Sequence, residues 1–437
     1  MPRRMIIAKR LKGKAIAAWL GPTGDAARRA FTGIRQQIKK EPRRLDVYFD
    51  IHDPWSYMVA QAVHRLVEAY PVELGFHVVT PPASDVDPQP LLRTKHAVRD
   101  AQLLAEYWDL DFAGKKEADP GSAMLVGSAL IRERPAKEQL RAALELTGAM
   151  WSGDKKALTK LLGTWGTEST GEIAPVLNSK YAELRKAGHY QGAMLSYGGE
   201  WYWGIDRLPY LEAELAKDFS TSPAHVVAPR AESERTALEL SKKPLSCEMW
   251  FSFRSPYSYL AIEQIEGVLG DVPLQLRPVL PMIMRGLAVP RIKTMYIVRD
   301  AKREADRLGI AFGELCDPVG PGVENCIALA HFAEQRGKQM AFVRSAMRGI
   351  WTEARDMTEY VDLRYVVERA ELPWAEAKEA LGKPEAAKWA QANVADLAVI
   401  GLWGVPSFRC GDFVAWGQDR LPLLADRLRR HRLANPS

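Results

Sequence analysis

Cysteine is scarce in this sequence. Its 437 residues include four cysteines, Cys247, Cys316, Cys326 and Cys410, and no two of them form a C-x-x-C motif. Cysteines so few and so widely separated do not predict the disulfide framework of a small secreted protein. The segment Met1–Arg10 also lacks the uninterrupted apolar stretch and cleavage site of a secretory signal. We therefore expect a protein of the reducing cytoplasm.

Other absences narrow the class of protein further. Charged residues or prolines interrupt every apolar run well before the roughly 18–20 residues that cross a bilayer, so we expect no transmembrane helix. No phosphate-binding loop, dinucleotide fingerprint or metal-ligand spacing is present, and we expect no metal. The composition, 47% hydrophobic and 26% charged, is typical of a globular protein, and the length suits two domains.

The net charge of +6 is unevenly distributed along the chain. Residues 1–44 contain thirteen Lys and Arg against two acidic residues, so this segment carries +11 and the remainder about −5. A basic arm on an acidic body does not predict a nucleic-acid-binding core. On a helix, Ile7, Leu11, Ala15 and Trp19 would share one face suited to a weak contact with anionic lipid or a partner. We favour instead a flexible, solvated arm.

An internal repeat organises the rest of the chain. Leu45–Tyr57 aligns with Cys247–Tyr259, and in both segments an apolar run ends in a Pro-aromatic-Ser-Tyr turn. Four further matches follow in the same order at offsets of 200 to 213 residues: Lys95–Ala101 with Met295–Ala301, Pro120–Gly121 with Pro321–Gly322, Met150–Trp151 with Ile350–Trp351, and Trp203–Pro209 with Trp416–Pro422. We predict a basic arm at 1–44, a first domain at 45–215, a linker at 216–244 and a second domain at 245–434.

Each copy is predicted to be an α/β domain with a thioredoxin-like sheet and an all-helical insertion. The pattern begins with strand, helix and strand, continues through a long helical middle, and ends with a hairpin and a helix. In the second domain we predict strands at 246–253 and 274–279, a hairpin at 407–408 and 413–415, and helices at 256–269, 292–308, 323–335, 339–352, 360–370 and 421–431.

The chemistry is predicted at the first strand-to-helix turn of the second domain, Ser255-Pro256-Tyr257-Ser258. A helix start presents unpaired N–H groups and a positive dipole end, which favour an anion such as a thiolate. Thioredoxin-type oxidoreductases have a C-x-x-C here, whereas hydroxyls cannot form a mixed disulfide and can only donate hydrogen bonds to a thiolate. Alternatively, Ser255 only caps the helix. Pro406, in Gly404-Val405-Pro406, is a candidate cis proline beside this turn or, alternatively, an edge-strand proline.

These motifs together resemble those of the DsbA-like thioredoxin superfamily, in the branch of 2-hydroxychromene-2-carboxylate isomerases and kappa-class glutathione transferases. The resemblance covers nearly all of 245–434 and includes Phe251–Leu260, Lys293, Tyr296, Asn325, Trp351, Gly404–Pro406 and Trp416–Arg420. It implies glutathione as cofactor, with Ser255 as the catalytic residue facing the sulfur. The other implied contacts are Val405 and Pro406 with the cysteinyl unit, Gln418 and Asp419 with the γ-glutamyl end, Lys293 with a carboxylate, and Tyr257, Ser258, Tyr296 and Asn325 in the substrate pocket.

Two departures from that pattern matter. The loop before Lys293 lacks the Asn and Pro-Pro usual in the family, which leaves the substrate open. In the first domain, Asp53 takes the place of Ser255 and Met124 that of Asn325, and a carboxylate at a helix start would repel a thiolate. We interpret the first domain as a structural or substrate-shaping copy, with a new activity using His52 and Asp53 as the alternative.

The leading hypothesis is a glutathione-dependent isomerase or transferase acting on a small aromatic electrophile. The first alternative is a non-catalytic thioredoxin-fold scaffold. A disulfide oxidoreductase is disfavoured, since it would have to use Cys410 or Cys326, and neither has a partner at a useful spacing. By analogy, the two domains form an internal pseudo-dimer in a monomer, or the chain forms a homodimer.

Overall fold

A computed structural model describes Gly13, Ala15, Ala17–Gly21, Gly24, residues 43–231 and residues 245–434. The described chain divides into two compact units. We call residues 43–231 the first unit, and residues 245–434 together with the described residues between Gly13 and Gly24 the second unit. Each contains one four-stranded sheet, and most of the remaining elements are helices, so the fold is mixed α/β.

The first unit has the strand order β2-β1-β3-β4, in which β1 pairs with β2 in parallel and with β3 antiparallel. The helices between β2 and β3 form the insertion. Its elements are β1 (Arg44–Asp50), α1 (Pro54–Ala69), β2 (Glu73–Val79), α2 (Pro90–Trp108), α3 (Pro120–Leu130), α4 (Ala136–Ser152), α5 (Lys155–Trp165), α6 (Ile173–Ala187), β3 (Met194–Tyr197), β4 (Glu200–Trp203) and α7 (Leu208–Asp218).

The second unit has the matching strand order β6-β5-β7-β8 and the same directions of pairing. Its elements are β5 (Cys247–Phe251), α8 (Pro256–Leu269), β6 (Leu274–Pro278), α9 (Arg291–Leu308), α10 (Pro321–Glu334), α11 (Gln339–Thr352), α12 (Tyr360–Arg369), α13 (Trp374–Lys378), α14 (Pro384–Val399), β7 (Ser407–Cys410), β8 (Phe413–Trp416) and α15 (Leu421–Ala434). Short 3₁₀ turns lie at Met282–Arg285 and Gln418–Arg420.

The central position of β5 follows from its sequence. Met249, Trp250 and Phe251 are fully buried, and such a continuous apolar run is typical of a strand covered on both faces. Because β5 and β7 are antiparallel neighbours, the carboxyl end of β5 and the amino end of β7 lie side by side at one end of the strands. The chain leaves β5 for α8 at that end and enters β7 there. This topology therefore brings residues 255 and 406 together.

The predicted elements of the second domain agree with these bounds to within a few residues, but two helices, α13 and α14, were not predicted. The buried positions of α14 are Ala386, Ala390, Asn393 and Leu397. They follow a helical spacing, yet three of the four are alanine or asparagine, so the apolar signal is weak. Trp250 donates its indole N–H to the Asn393 carbonyl at 2.9 Å, which ties α14 to the sheet.

One expectation about cysteine was wrong. Cys247 on β5 lies directly opposite Cys410 on β7, and the two form a disulfide across 163 residues of sequence. Cys410 therefore has a partner that spacing along the chain does not show. Cys316 and Cys326 are not part of this disulfide, and both are buried. Burial raises the pKa of the Cys326 thiol far above its ordinary value, which disfavours a reactive thiolate there.

The described residues of the basic arm differ in burial. Gly13 and Leu20 are buried, while Ala15 and Ala18 are exposed. A Cβ at position 13 would lie 2.7 Å from the Leu315 carbonyl oxygen, so only glycine permits this approach of the backbone. Two other residues of the predicted apolar face, Ile7 and Leu11, lie outside the described residues. No described helix is both long enough and apolar enough to cross a membrane.

Candidate functional site

Ser255 lies at the junction of β5 and α8, in the N-cap position. Its backbone is extended, with φ −98° and ψ 115°, and its Oγ accepts the Ser258 N–H at 3.1 Å. The same hydroxyl donates to the Val405 carbonyl at 3.4 Å. Ser255 is therefore a helix cap and, at the same time, a polar contact between the helix start and the Gly404–Pro406 turn.

The Val405–Pro406 peptide bond is cis, as the sequence suggested. The Pro406 carbonyl accepts the Gly417 N–H at 2.8 Å, and the Ser407 hydroxyl donates to the Gly404 carbonyl at 2.8 Å. Both bonds hold the turn against the following hairpin.

Gly404 is required because Trp416 lies against the turn. A Cβ on Gly404 would approach the Trp416 indole nitrogen to 2.6 Å, which no side chain could accept without a shift. The Val405 side chain packs against the core around Trp250 and Leu402. The turn beside Ser255 is thus anchored by apolar packing, which preorganises its backbone groups for a ligand.

Ser258 has a different environment from Ser255. It is fully buried, and its Oγ accepts the Ser252 N–H at 3.3 Å. Its hydroxyl is committed to the strand-to-helix turn, and Ser255 is the hydroxyl of this motif that lies nearer the surface.

The helix α9 carries two predicted site residues, Lys293 and Tyr296, at a spacing of three that places them on one face. Both are half-buried. One turn further on, Asp300 is buried and accepts the Tyr257 hydroxyl at 2.7 Å. This bond joins α8 to α9. It therefore fixes the α9 face that carries Lys293 relative to the turn that carries Ser255.

Gln418 and Asp419 follow β8 in a 3₁₀ turn. Gln418 is buried, and its amide nitrogen donates to Glu304 Oε2 at 2.8 Å and to the Asp419 carboxylate. Glu304 on α9 also pairs with Arg307 at 3.1 Å. Gln418 therefore bridges the hairpin to α9, while the half-buried Asp419 is the more accessible of the two.

Asn325 on α10 is turned toward another part of the unit. Its amide nitrogen donates to the Met357 carbonyl at 3.0 Å. The structure thus brings Ser255, Val405 and Pro406 into one turn cluster and links it through Tyr257 to α9, whereas the Asn325 amide is occupied elsewhere.

Arg285 was not singled out from the sequence. It lies in the loop that lacks the family's Asn and Pro-Pro, and it donates to the Trp403 carbonyl at 2.8 Å, beside the turn. Burial lowers the pKa of Arg285, and no carboxylate among the described residues counteracts that effect. Its Nε is buried without a hydrogen-bond partner in the described chain. A half-buried cation without a counter-ion favours an anionic ligand.

The equivalent turn of the first unit holds carboxylates. Asp53 caps α1, is 4% exposed, and accepts from the Trp55 N–H at 3.3 Å and the Ser56 hydroxyl at 3.1 Å. Arg93, at the position of Lys293, lies 3.9 Å from Asp53. Burial raises the pKa of Asp53 to about 7, and the charge of Arg93 opposes that shift. The position of Pro406 is taken by Ala193, whose N–H donates to Ser56 Oγ at 2.8 Å.

Residues 247–429 match the family model described as the DSBA-like thioredoxin domain. The matched DsbA-like segment includes Ser255, the Val405–Pro406 turn and Gln418. No curated protein matches the chain.

Several solved structures are similar to part of the chain. A 2-hydroxychromene-2-carboxylate isomerase has 21% identity and a TM-score of 0.38, covering 44% of this chain and 99% of its own. A probable DsbA oxidoreductase from Streptomyces coelicolor has 18% identity and a TM-score of 0.36, with coverage of 43% and 89%. The cytosolic disulfide reductase DsbM from Pseudomonas aeruginosa, solved with GSH, has 15% identity and a TM-score of 0.33, with coverage of 43% and 99%. Similarity this low carries no information about the substrate.

Proposed function

We propose that the second unit is a glutathione-dependent isomerase or transferase acting on a small aromatic electrophile. The observation that carries the proposal is the Ser255 hydroxyl at the start of α8, held 3.4 Å from the Val405 carbonyl of a cis-proline turn. The Ser255 hydroxyl would turn from the Val405 carbonyl and donate its hydrogen bond to a thiolate placed there, which would also lie in the positive field of the helix start. Both effects lower the pKa of the bound thiol.

The proposed chemistry needs no redox step. The bound thiolate forms a C–S bond with an electrophilic carbon, and the displaced electron pair moves into the conjugated system of the substrate. In an isomerase a bond then rotates and the C–S bond breaks, which returns the thiolate. In a transferase the adduct takes up a proton and leaves with the sulfur attached. Ser255 stabilises the thiolate in both, and Lys293 offsets charge on a substrate carboxylate.

A disulfide exchange function is supported less well. Ser255 and Ser258 replace the sulfurs of the C-x-x-C motif, Cys410 is held in a buried disulfide, and burial raises the pKa of Cys326. None of these groups supplies an accessible thiolate. The remaining alternative is a scaffold that binds no glutathione.

The decisive test is titration of glutathione into the full chain by calorimetry, with the ultraviolet thiolate absorbance followed against pH. We expect one site and a bound thiol pKa below about 8.5, the value of a free cysteine. In Ser255→Ala the pKa of the bound thiol should rise by about one unit or more, because a hydrogen bond to a charged group is lost.

Two matched variants separate thiolate binding from helix capping. Ser255→Thr keeps both the cap and the hydroxyl, and should retain the low thiol pKa. Ser255→Asp keeps a good cap but places a carboxylate at the site, as in the first unit, and should lose glutathione binding without loss of fold. If the intact chain binds no glutathione, the proposal fails and the scaffold becomes the better interpretation. If Ser255→Asp binds glutathione normally, Ser255 does not face the thiolate and its proposed role is wrong.

Arg285 provides a second prediction for the same site. If its uncompensated charge binds a carboxylate of glutathione, Arg285→Met should weaken binding by roughly 10-fold or more, as expected for a charged hydrogen bond. The wild type should bind the glycine ethyl ester of glutathione about as weakly as the variant binds free glutathione. In the variant, the ester should bind only slightly more weakly than free glutathione. The thiol pKa should stay low in both. Equal weakening of the ester and of free glutathione by the substitution would contradict this role.

A further inference from the structure

The first unit contains a paired carboxylate and imidazole at its own strand-to-helix turn. Asp50, the last residue of β1, is fully buried, and its Oδ1 accepts the backbone N–H of His52 at 2.9 Å. The His52 Nδ1 lies 3.4 Å from the same oxygen, within ion-pair distance but without hydrogen-bond geometry. The His52 side chain is 44% exposed. A buried carboxylate thus lies beside a partly exposed imidazole.

Asp50 is not explained by packing. Its Oδ2 is buried and has no hydrogen-bond partner among the described residues. Leaving a buried acceptor unpaired is destabilising, and more so for a charged group. The second unit has Ser252 at this position, so the fold does not require a carboxylate. Gly192 also lies against Asp50, since a Cβ there would meet the Asp50 Cβ at 2.6 Å.

The charges around His52 are few. Asp50 is the largest cause that raises the pKa of His52, burial and Arg93 lower it, and Asp53 adds a smaller increase. Arg93 on α2 donates from Nε to Asp87 at 2.6 Å and lies 3.9 Å from Asp53. Arg93 therefore lies next to Asp53, the residue that follows His52 in the chain, and its positive charge acts on the imidazole.

We propose that the first unit carries a proton-transfer site in which His52 is the general base, Asp50 positions its ring, and Arg93 favours the anion that forms. The substrate class is a small carbonyl compound with an acidic C–H. The substrate proton moves to Nε2 of neutral His52, while Nδ1–H faces Asp50. The electron pair of the C–H bond becomes an enolate near Arg93. In a substrate with a β,γ double bond, returning the proton to the γ carbon moves the double bond into conjugation and completes an isomerisation without any oxidant.

Other ligands fit this turn less well. Asp53 replaces the hydroxyl of Ser255, so a thiolate would meet a carboxyl group. Among the described residues no group of three His, Cys, Asp or Glu is arranged to hold a metal ion. A general base beside a buried carboxylate requires neither a thiolate nor a metal ion.

The test uses the full chain and 5-nitrobenzisoxazole, a probe that opens when a base removes its C–H proton. The proton passes to His52, the N–O bond breaks, and 2-cyano-4-nitrophenolate appears, which is followed by its absorbance. We expect the wild-type rate to rise with pH through a midpoint above 6.5, the ordinary value for histidine. His52→Gln should lower the rate at least 10-fold. Asp50→Asn should move the midpoint down by about one unit.

Two controls and one direct measurement keep the outcome unambiguous. His64 on α1 is 49% exposed and lies 3.5 Å from Glu68, so it is a matched histidine outside the site, and His64→Gln should leave the rate unchanged. His331→Gln, on α10 of the second unit, should also leave it unchanged, which assigns this activity to the first unit. The imidazole of His52 should titrate above pH 6.5 by NMR in the wild type. A rate that does not fall in His52→Gln, or a His52 pKa at or below 6.5, would overturn the proposal.

Discussion

Replacing both Cys247 and Cys410 by alanine is expected to lower the free energy of unfolding of the second unit by about 2–5 kcal/mol. The bond joins residues 163 apart, so its loss frees a long loop in the unfolded chain. It also links the central strand β5 to β7, the strand that begins directly after Pro406. Loss of the bond should therefore loosen the turn beside Ser255 as well.

The measurement is urea unfolding, with hydrogen exchange to assign the change to the second unit. The control variant is Cys316→Ala with Cys326→Ala, which removes two buried sulfurs of the same size without removing a cross-link. Because reduction breaks the same bond, wild-type protein in excess dithiothreitol should approach the stability of the Cys247/Cys410 variant. A reductant that leaves wild-type stability unchanged, together with a variant no weaker than the control, would contradict the prediction.

The second large effect concerns pH and the first unit. The pKa of Asp53 is about 7 in the folded chain, against an ordinary value of 3.8. Between these values the folded chain holds a proton that the unfolded chain has released, so raising the pH favours unfolding. The stabilisation is complete below about pH 4 and is lost as the pH rises through 7. Three units correspond to roughly 4 kcal/mol, an upper limit for this loss.

Asp53→Asn is expected to remove that loss, since asparagine is an equally good N-cap and carries no charge. At pH 8 the variant should be the more stable protein, while at pH 4 the two should differ little. The measurement is urea unfolding of both proteins across this range. His52, whose pKa is also raised, adds a loss in the same direction, and Asp53 contributes to that shift. The comparison is therefore repeated with His52→Gln present in both proteins, which isolates Asp53.

A matched control is Asp154→Asn. Asp154 caps α5 by accepting the Ala157 N–H at 2.9 Å, and it is exposed. Its substitution tests the exchange of an aspartate cap for asparagine without the burial that shifts the pKa of Asp53. If Asp53→Asn gives the same pH profile as Asp154→Asn, the buried carboxyl does not control the stability of the first unit.

Much of the site was readable from local sequence. Ser255 before a proline and a helical pattern predicts an N-cap, and Gly404-Val405-Pro406 before a hairpin predicts a cis proline. Both depend on neighbours within a few residues, and the structure shows both. The roles of Ser255 and Lys293 toward glutathione stay predictions, because they depend on a ligand.

What only the tertiary structure decided are the contacts between segments far apart in the chain. Gln418 meets Glu304 across 114 residues and Arg285 meets Trp403 across 118. Residue type alone could not show that the Gln418 amide, predicted to hold a ligand, is bonded to a carboxylate. Nor could it show that Arg285 has no counter-ion among the described residues. Burial and partners set these properties, and neither is a property of a short segment.

The sequence by itself determined the alternation of strands and helices and the hydroxyl at the start of α8, because periodicity and capping act over a few residues. The sheet decided which distant residues meet. Strand pairing placed Cys247 opposite Cys410, and burial raised the pKa of Asp53 to about 7 against the opposing charge of Arg93. The physical reason is that pairing and desolvation arise only when separate segments of the chain exclude water from the same place.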